Sequence, residues 1–314
     1  MDALVSERDL PEHPALPAGC LDILRELGEL KRVRSAAQHG SIAVRLFARG
    51  WASLVAGVPA ESVWRQVAGA ALCATRLGDV DVPLMLRLGV SREEALAILL
   101  RALDEVLAEL PAPLSAISAD ALREALDAAA PASDAPPFVV LLSRQPRAGV
   151  TCPGKPRILL EPPENHAEHC LMVAVYGVLL AQAYDADPAT VFLAAMAHHL
   201  HNVFLPDSGF AGEVLMGDQL EPVMHRATEL ALAELPAPLA AAVRQARTVL
   251  PDAATPEGRA FHAADTLDRV LQIEQHLRAG KVTMYQVLHD MALVHEGPVK
   301  AFQDRLLADV GLMT

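Results

Sequence analysis

Aromatic side chains are scarce in this sequence, at 4% of its residues. Alanine and leucine carry most of the apolar half instead, which favours helices packed on helices over a sheet of β-branched residues. The four cysteines, Cys20, Cys73, Cys152 and Cys170, form no CxxC pair. That excludes a zinc ribbon and suits a reduced compartment, so a cytoplasmic location is expected. Cys170 reads as a small buried hydrophobe. Positive charge is also short, with 26 Lys and Arg against 39 Asp and Glu and a net charge of −13. A general nucleic-acid binder needs a basic stripe to displace counterions, so none is expected. The dense cationic stretch Lys31-Arg32-Val33-Arg34 reads as a solvated helix end. Charges interrupt the apolar runs, so none is expected to be long enough to span a bilayer, and MDALVSERDLPEH lacks the basic-then-apolar order of a secretion signal. A soluble protein without a membrane partner is the expectation.

With 314 residues the chain can hold one large domain or two ordinary ones. Residues 1–135 read as consecutive Ala-rich helices. Ser91-Arg92-Glu93-Glu94 is a capping box opening a helix that runs to Pro111, and Ser118 caps a further helix over Asp120–Ala130. This region carries no metal cluster or glycine-rich phosphate loop, so packing, a lid or homo-oligomer contacts are its expected roles. The Pro/Ala/Ser stretch 129–137 reads as a linker, and residues 136–314 as a second domain able to fold alone. FVVLLS (138–143) and RILLE (157–161) are bounded by Pro and Gly and predict a short β-ribbon between the two. Around it cluster Arg144, Arg147, Lys155 and Arg157. They are either a solvated loop or, since guanidinium binds oxyanions in a bidentate way, a phosphate clamp for a small anionic substrate.

All but two of the histidines fall after residue 165. Asn165 and Glu168 form a helix cap, and Asp187 with Pro188 opens the next helix, expected to reach Asn202. His169 is followed by Val173, Tyr176 and Leu180, which places it on a buried stripe. In AAMAHHLHN, His198 and His199 project about 100° apart, so one ion above the ridge can touch both. His201 is available as a further ligand or supporting donor. Packed imidazoles without an ion would have to stay neutral and find separate partners. Asp265 and Asp268 share a later helix face and offer the anionic ligand of a His/His/Asp set suited to Mn, Fe, Co, Ni or Zn. His225, with Glu229 one turn away, can join from another helix.

ENHAEHCLMVAVYGVLLAQAYDADPATVFLAAMAHHLHN, together with the distal HAADTLDRV, resembles the HD superfamily of metal-dependent phosphohydrolases, nearest its 5′-deoxynucleotidase-like branch. The resemblance covers roughly residues 160–280 and implies an all-α HD-type domain. It implies that His169, His198 and Asp265 bind a divalent metal, with His199 standing where the family has the motif aspartate. Asn202 stands where that branch has an assisting acidic residue, with Glu164, Glu168, Glu213 and Asp268 as possible substitutes, and of these Glu168 and Asp268 join Asn202 as candidate catalytic residues. The implied reaction is hydrolysis of a small, nucleotide-like phosphate ester. An iron-dependent oxygenase on the same scaffold is one alternative. A non-catalytic HD domain that binds a metabolite or partner protein is the other.

Overall fold

The computed structural model describes residues 16, 19–36, 38–112, 114–128, 131–277 and 283–313. The N-terminal stretch read for a secretion signal lies outside them, as do Ala129 and Ala130 of the proposed linker. Helices dominate. The first half holds α1 (Cys20–Glu29), α2 (Ile42–Val55), α3 (Ala60–Leu77), α4 (Val82–Arg87), α5 (Arg92–Glu109) and α6 (Ala119–Ala125). The second holds α7 (Pro137–Arg144), α8 (His166–Leu180), α9 (Pro188–Ala197), α10 (Gly209–Met216) and α11 (Leu220–Leu232). It ends with α12 (Ala237–Ala246), α13 (Pro256–Leu277) and α14 (Lys300–Asp309).

The helix starts follow local chemistry. Ser91 and Glu94 make the reciprocal cap of α5, and Asn165 and Glu168 make that of α8. Each pair satisfies two backbone N–H groups that the first turn would leave bare. Asp187 caps α9 with Pro188 just inside, and Ser118 caps α6, which ends at Ala125 rather than Ala130.

The expected β-ribbon does not form. Residues 138–143 lie within α7, which buries Phe138, Val139 and Leu142 at helical spacing. No strand exists among the described residues, and Ile158 instead makes an isolated antiparallel bridge with Val150. The apolar run was too short for periodicity to separate helix from strand.

α8 is the axis of the molecule. All of its residues are buried, so its contacts surround it instead of lying on one stripe. α9 and α13 pack on it from the C-terminal half, and α2 and α3 from the N-terminal half. Its stretch His166–Tyr184 is long and apolar enough to cross a membrane, against the expectation that no run would be. Its most apolar window is 89% buried within the protein, the position of a core helix.

One hydrophobic cluster runs through both halves. Trp51 of α2 meets Phe138 of α7 edge to face at 5.0 Å, and the Tyr176 hydroxyl donates to the Leu24 carbonyl. A fragment beginning near residue 136 would expose this shared core to water. Gly177 marks the closest approach within it. A Cβ there would meet Val191 Cγ1 of α9 at 2.6 Å, and valine has little freedom to move aside. Alanine would gain about 1 kcal/mol of helix propensity, against roughly 1–3 kcal/mol of overpacking. Gly177→Ala is therefore expected to lower the denaturant midpoint while leaving the slope unchanged.

Candidate metal centre

Three helices bring the predicted residues together. The α8 cap places His169 one turn into a buried helix, where it has no solvent exposure. α9 stops at Ala197, earlier than its sequence suggested, and side chains satisfy carbonyls of its last turn. His198 Nδ1 donates to the Ala195 carbonyl at 2.6 Å, and Arg247 donates to the Ala197 carbonyl. His199 leaves the helix at φ −103°, and a 3-10 turn follows over Leu200–Val203. From α13, Asp265 Oδ1 reaches within 3.2 Å of His169 Nε2.

The hydrogen bonds fix which ring nitrogen faces inward. His169 Nδ1 donates to Asp268 Oδ2 at 2.7 Å, since a carboxylate only accepts. His198 Nδ1 donates to a carbonyl, and His199 Nδ1 donates to Asn202 Oδ1 at 2.7 Å. Each ring thereby commits a proton at Nδ1, which leaves Nε2 as the atom that a neutral ring offers to an ion or a donor. Yet His198 Nε2 and His169 Nε2 lie 3.1 Å apart, with the Asp265 carboxylate beside them. Lone pairs and a carboxylate so placed repel unless a proton or a metal ion lies among them. The donor nitrogens of His169, His198 and His199 fall within 4.8 Å of one another, so these side chains can hold a metal ion.

Electrostatics agree with that geometry. Burial, then neighbouring positive groups, pushes His198 and His199 well below the ordinary histidine range, so both are neutral at pH 7. Burial pushes Asp265 up, but Arg269 and His169 outweigh it and hold its carboxyl well below the usual range. Arg269 Nε lies 3.5 Å from Asp265 Oδ2. Arg147 donates to His199 Nε2 at 2.9 Å.

His198, His199 and Asp265 open onto a cavity of about 850 Å³. Its walls mix Arg147, Arg247 and Arg269 with Asp207 and Glu213, and with apolar Phe210, Leu220, Phe261 and Leu293. A family model described as "HD domain" matches residues 142–300, just over half of the chain. The chain belongs to the HD-domain family. No curated protein and no solved structure matches it. The HD superfamily is one of metal-dependent hydrolases, usually with a divalent ion, and the side chains gathered here can bind one.

Within the HD domain, the other sequence candidates separate. His201 is buried and lines the cavity with Nδ1 unpartnered, and exposed His225 lines it from α11. Asn202 touches His199 rather than the cavity. Glu168 serves the α8 cap and accepts from the Ser41 hydroxyl at 2.7 Å, so its carboxylate is turned away from the cavity. Asp268 stands behind His169. Of the cations proposed as a clamp, Arg147 alone lines the main cavity. Arg144 is exposed, and Arg157 donates to the Ala148 and Ser208 carbonyls, tying two loops together.

Sequence reasoning missed several neighbours. His166 is fully buried, its ring centroid 4.7 Å from that of His199, and its spacing of three from His169 could have flagged it. Arg269 lies one turn beyond Asp265, and the ion pair between them borders the cavity. Lys31, expected on a wet helix end, is only 4% exposed. No local pattern could have revealed it.

Proposed function

We propose that the cavity is the active site of a metal-dependent hydrolase that cleaves a small phosphate ester, with a nucleotide-like molecule as the default substrate. One observation carries the reading: the Nε2 atoms of His169 and His198 face each other at 3.1 Å, while Nδ1 of each ring is engaged by another partner. His169, His198, His199 and Asp265 would hold a divalent ion of the Mn, Fe, Co, Ni or Zn class. Such an ion supplies Lewis acidity toward a phosphoryl oxygen and lowers the pKa of a coordinated water. Three neutral imidazoles and one carboxylate leave the site cationic, which favours an anionic substrate.

The residues then divide the work. Arg147, which donates to His199 Nε2, would have to release that nitrogen for His199 to hold an ion, and its guanidinium would then be free to bind a phosphate oxygen. Asn202 cannot accept a proton as a carboxylate would, and it holds the His199 ring instead. Glu213 is the carboxylate suited to receive one, since burial, followed by nearby Asp207, raises its pKa at the cavity wall. A second reading, a non-catalytic HD domain binding an anionic metabolite, draws on the Arg147–His199 contact, which puts a guanidinium where a ligand's lone pair is needed.

Protein purified without chelator is expected to carry stoichiometric metal. It should hydrolyse members of a phosphate-ester panel, losing activity to chelation and regaining it with Mn²⁺ or Co²⁺. Full metal occupancy with no turnover across the panel would favour the second reading. Arg147→Ala is expected to raise KM about tenfold or more without lowering metal content, as for a lost charge-assisted hydrogen bond. Arg157→Ala should leave KM alone, because its guanidinium is spent on backbone carbonyls. Equal effects of the two variants would contradict the assignment.

A further inference from the structure

The face of His169 opposite the cavity is also built from charged groups. Asp268 accepts from His169 Nδ1 through Oδ2, and its Oδ1 lies 2.6 Å from Lys31 Nζ. The same ammonium lies 2.5 Å from Glu164 Oε1 and 3.4 Å from Gln272 Oε1. The side chains of Lys31, Glu164 and Asp268 are 3%, 7% and 1% exposed. Glu164, His169 and Asp268 form a second set of donors close enough for a cation, and the lysine ammonium already sits between its two carboxylates. A buried ammonium stays charged only with such partners, and buried carboxylates need it equally.

Lys31 lies just beyond α1, far outside residues 142–300 that match the HD family. The chain of contacts runs Lys31, Asp268, His169 and then the cavity. A carboxylate behind a ligand histidine sets the tautomer and orientation of its ring. Here the carboxylate is itself held by its other oxygen. We propose that Lys31 is a positioning residue, delivered from the N-terminal region, which anchors Asp268 so that His169 presents Nε2 to the metal. The N-terminal helices then complete the site from behind in addition to packing against the HD domain. The inference rests on His169 being a metal ligand, but the state of its ring can be read without any metal.

The test uses the full chain. ¹⁵N NMR of the histidine rings in metal-free protein is expected to show His169 in the Nδ1–H tautomer, and Lys31→Met is expected to mix the tautomers. Co²⁺ affinity, measured by competition with a chromophoric chelator, should fall by roughly 10- to 100-fold in Lys31→Met, as for other partners of ligand histidines. Lys31→Met/Glu164→Gln removes the cation together with one of its acids and provides the same readings if the single variant does not fold. Asp268→Asn should also weaken Co²⁺ binding, and adding Lys31→Met to it should cause no further loss. Unchanged Co²⁺ affinity and an unchanged tautomer in the folded lysine variant would overturn the proposal, as would additive losses in the double variant. A wild-type protein that binds no Co²⁺ but shows the tautomer shift would sink the metal reading and leave the lysine's positioning role standing.

Discussion

His198→Ala and Asp265→Ala are each expected to abolish metal binding, a larger loss than the roughly 100-fold upper range for residues that only support a ligand. Each change removes a donor from the point where His169 Nε2 meets His198 Nε2 at 3.1 Å and Asp265 Oδ1 at 3.2 Å. His201→Ala should cost far less, because its ring borders the cavity without joining that close set. Metal content by elemental analysis and affinity by chelator competition measure all three. His199→Asp is the sharper comparison, since it installs the carboxylate of the family motif. That carboxylate would face Arg147, which now donates to His199 Nε2. Higher metal occupancy or faster hydrolysis in this variant would mark a site drifted from phosphohydrolase chemistry. Loss of a native activity would show that the imidazole serves the present reaction. Stoichiometric metal in His198→Ala would remove the ligand set from consideration.

Thermal stability is expected to fall steeply as pH drops from 7 toward 4. His201 is lowered from 6.5 to about 4 by burial and then Arg247. His166, His198 and His199 are pushed well below the ordinary range by burial and their charged neighbours. Below pH 6.5 the unfolded chain takes up protons that the folded histidines refuse, so the folded state loses ground until the folded pKa is passed. For His201 alone that amounts to roughly 3 kcal/mol once pH is below about 4, a large share of a typical domain's stability. Glu168 and Glu213 act in the opposite direction, because burial raises them and the folded state binds their protons first. Asp265, depressed in the folded state, adds its own loss only at lower pH, as its carboxylate protonates. The histidines outnumber the glutamates, so the net slope is a loss on acidification. Calorimetry across this range measures it, and a midpoint that holds or rises from pH 7 to 5 would contradict the buried, neutral state of the cluster.

The sequence was most legible where local chemistry is self-contained. Asn165 with Glu168, Asp187 with Pro188, and Ser91 with Glu94 each announce a helix start within a few residues, and each is present. The all-helical fold followed from composition, and membership of the HD family from motif order. Legibility failed where distant partners decide. FVVLLS lies in a helix whose Phe138 packs against Trp51, a partner outside any local window. Arg157 looked like a phosphate ligand until the Ala148 and Ser208 carbonyls claimed it. Lys31 looked solvated because its acids, Glu164 and Asp268, are 133 and 237 residues away. Burial of a charge is a property of the folded neighbourhood, and no window of sequence around it holds that information.

The contrast between α8 and α10 sets how the cavity can move. Every residue of α8 is buried, so its amides are released only when the whole core opens. α10, which supplies Phe210 and Glu213 to the cavity wall, has no buried residue at all. The helix behind the donor atoms is thus tied to global unfolding, and the wall that α10 builds to cheap local excursions. Traffic into and out of the cavity runs at the pace of the soft wall, while the spacing of the donor atoms survives each opening.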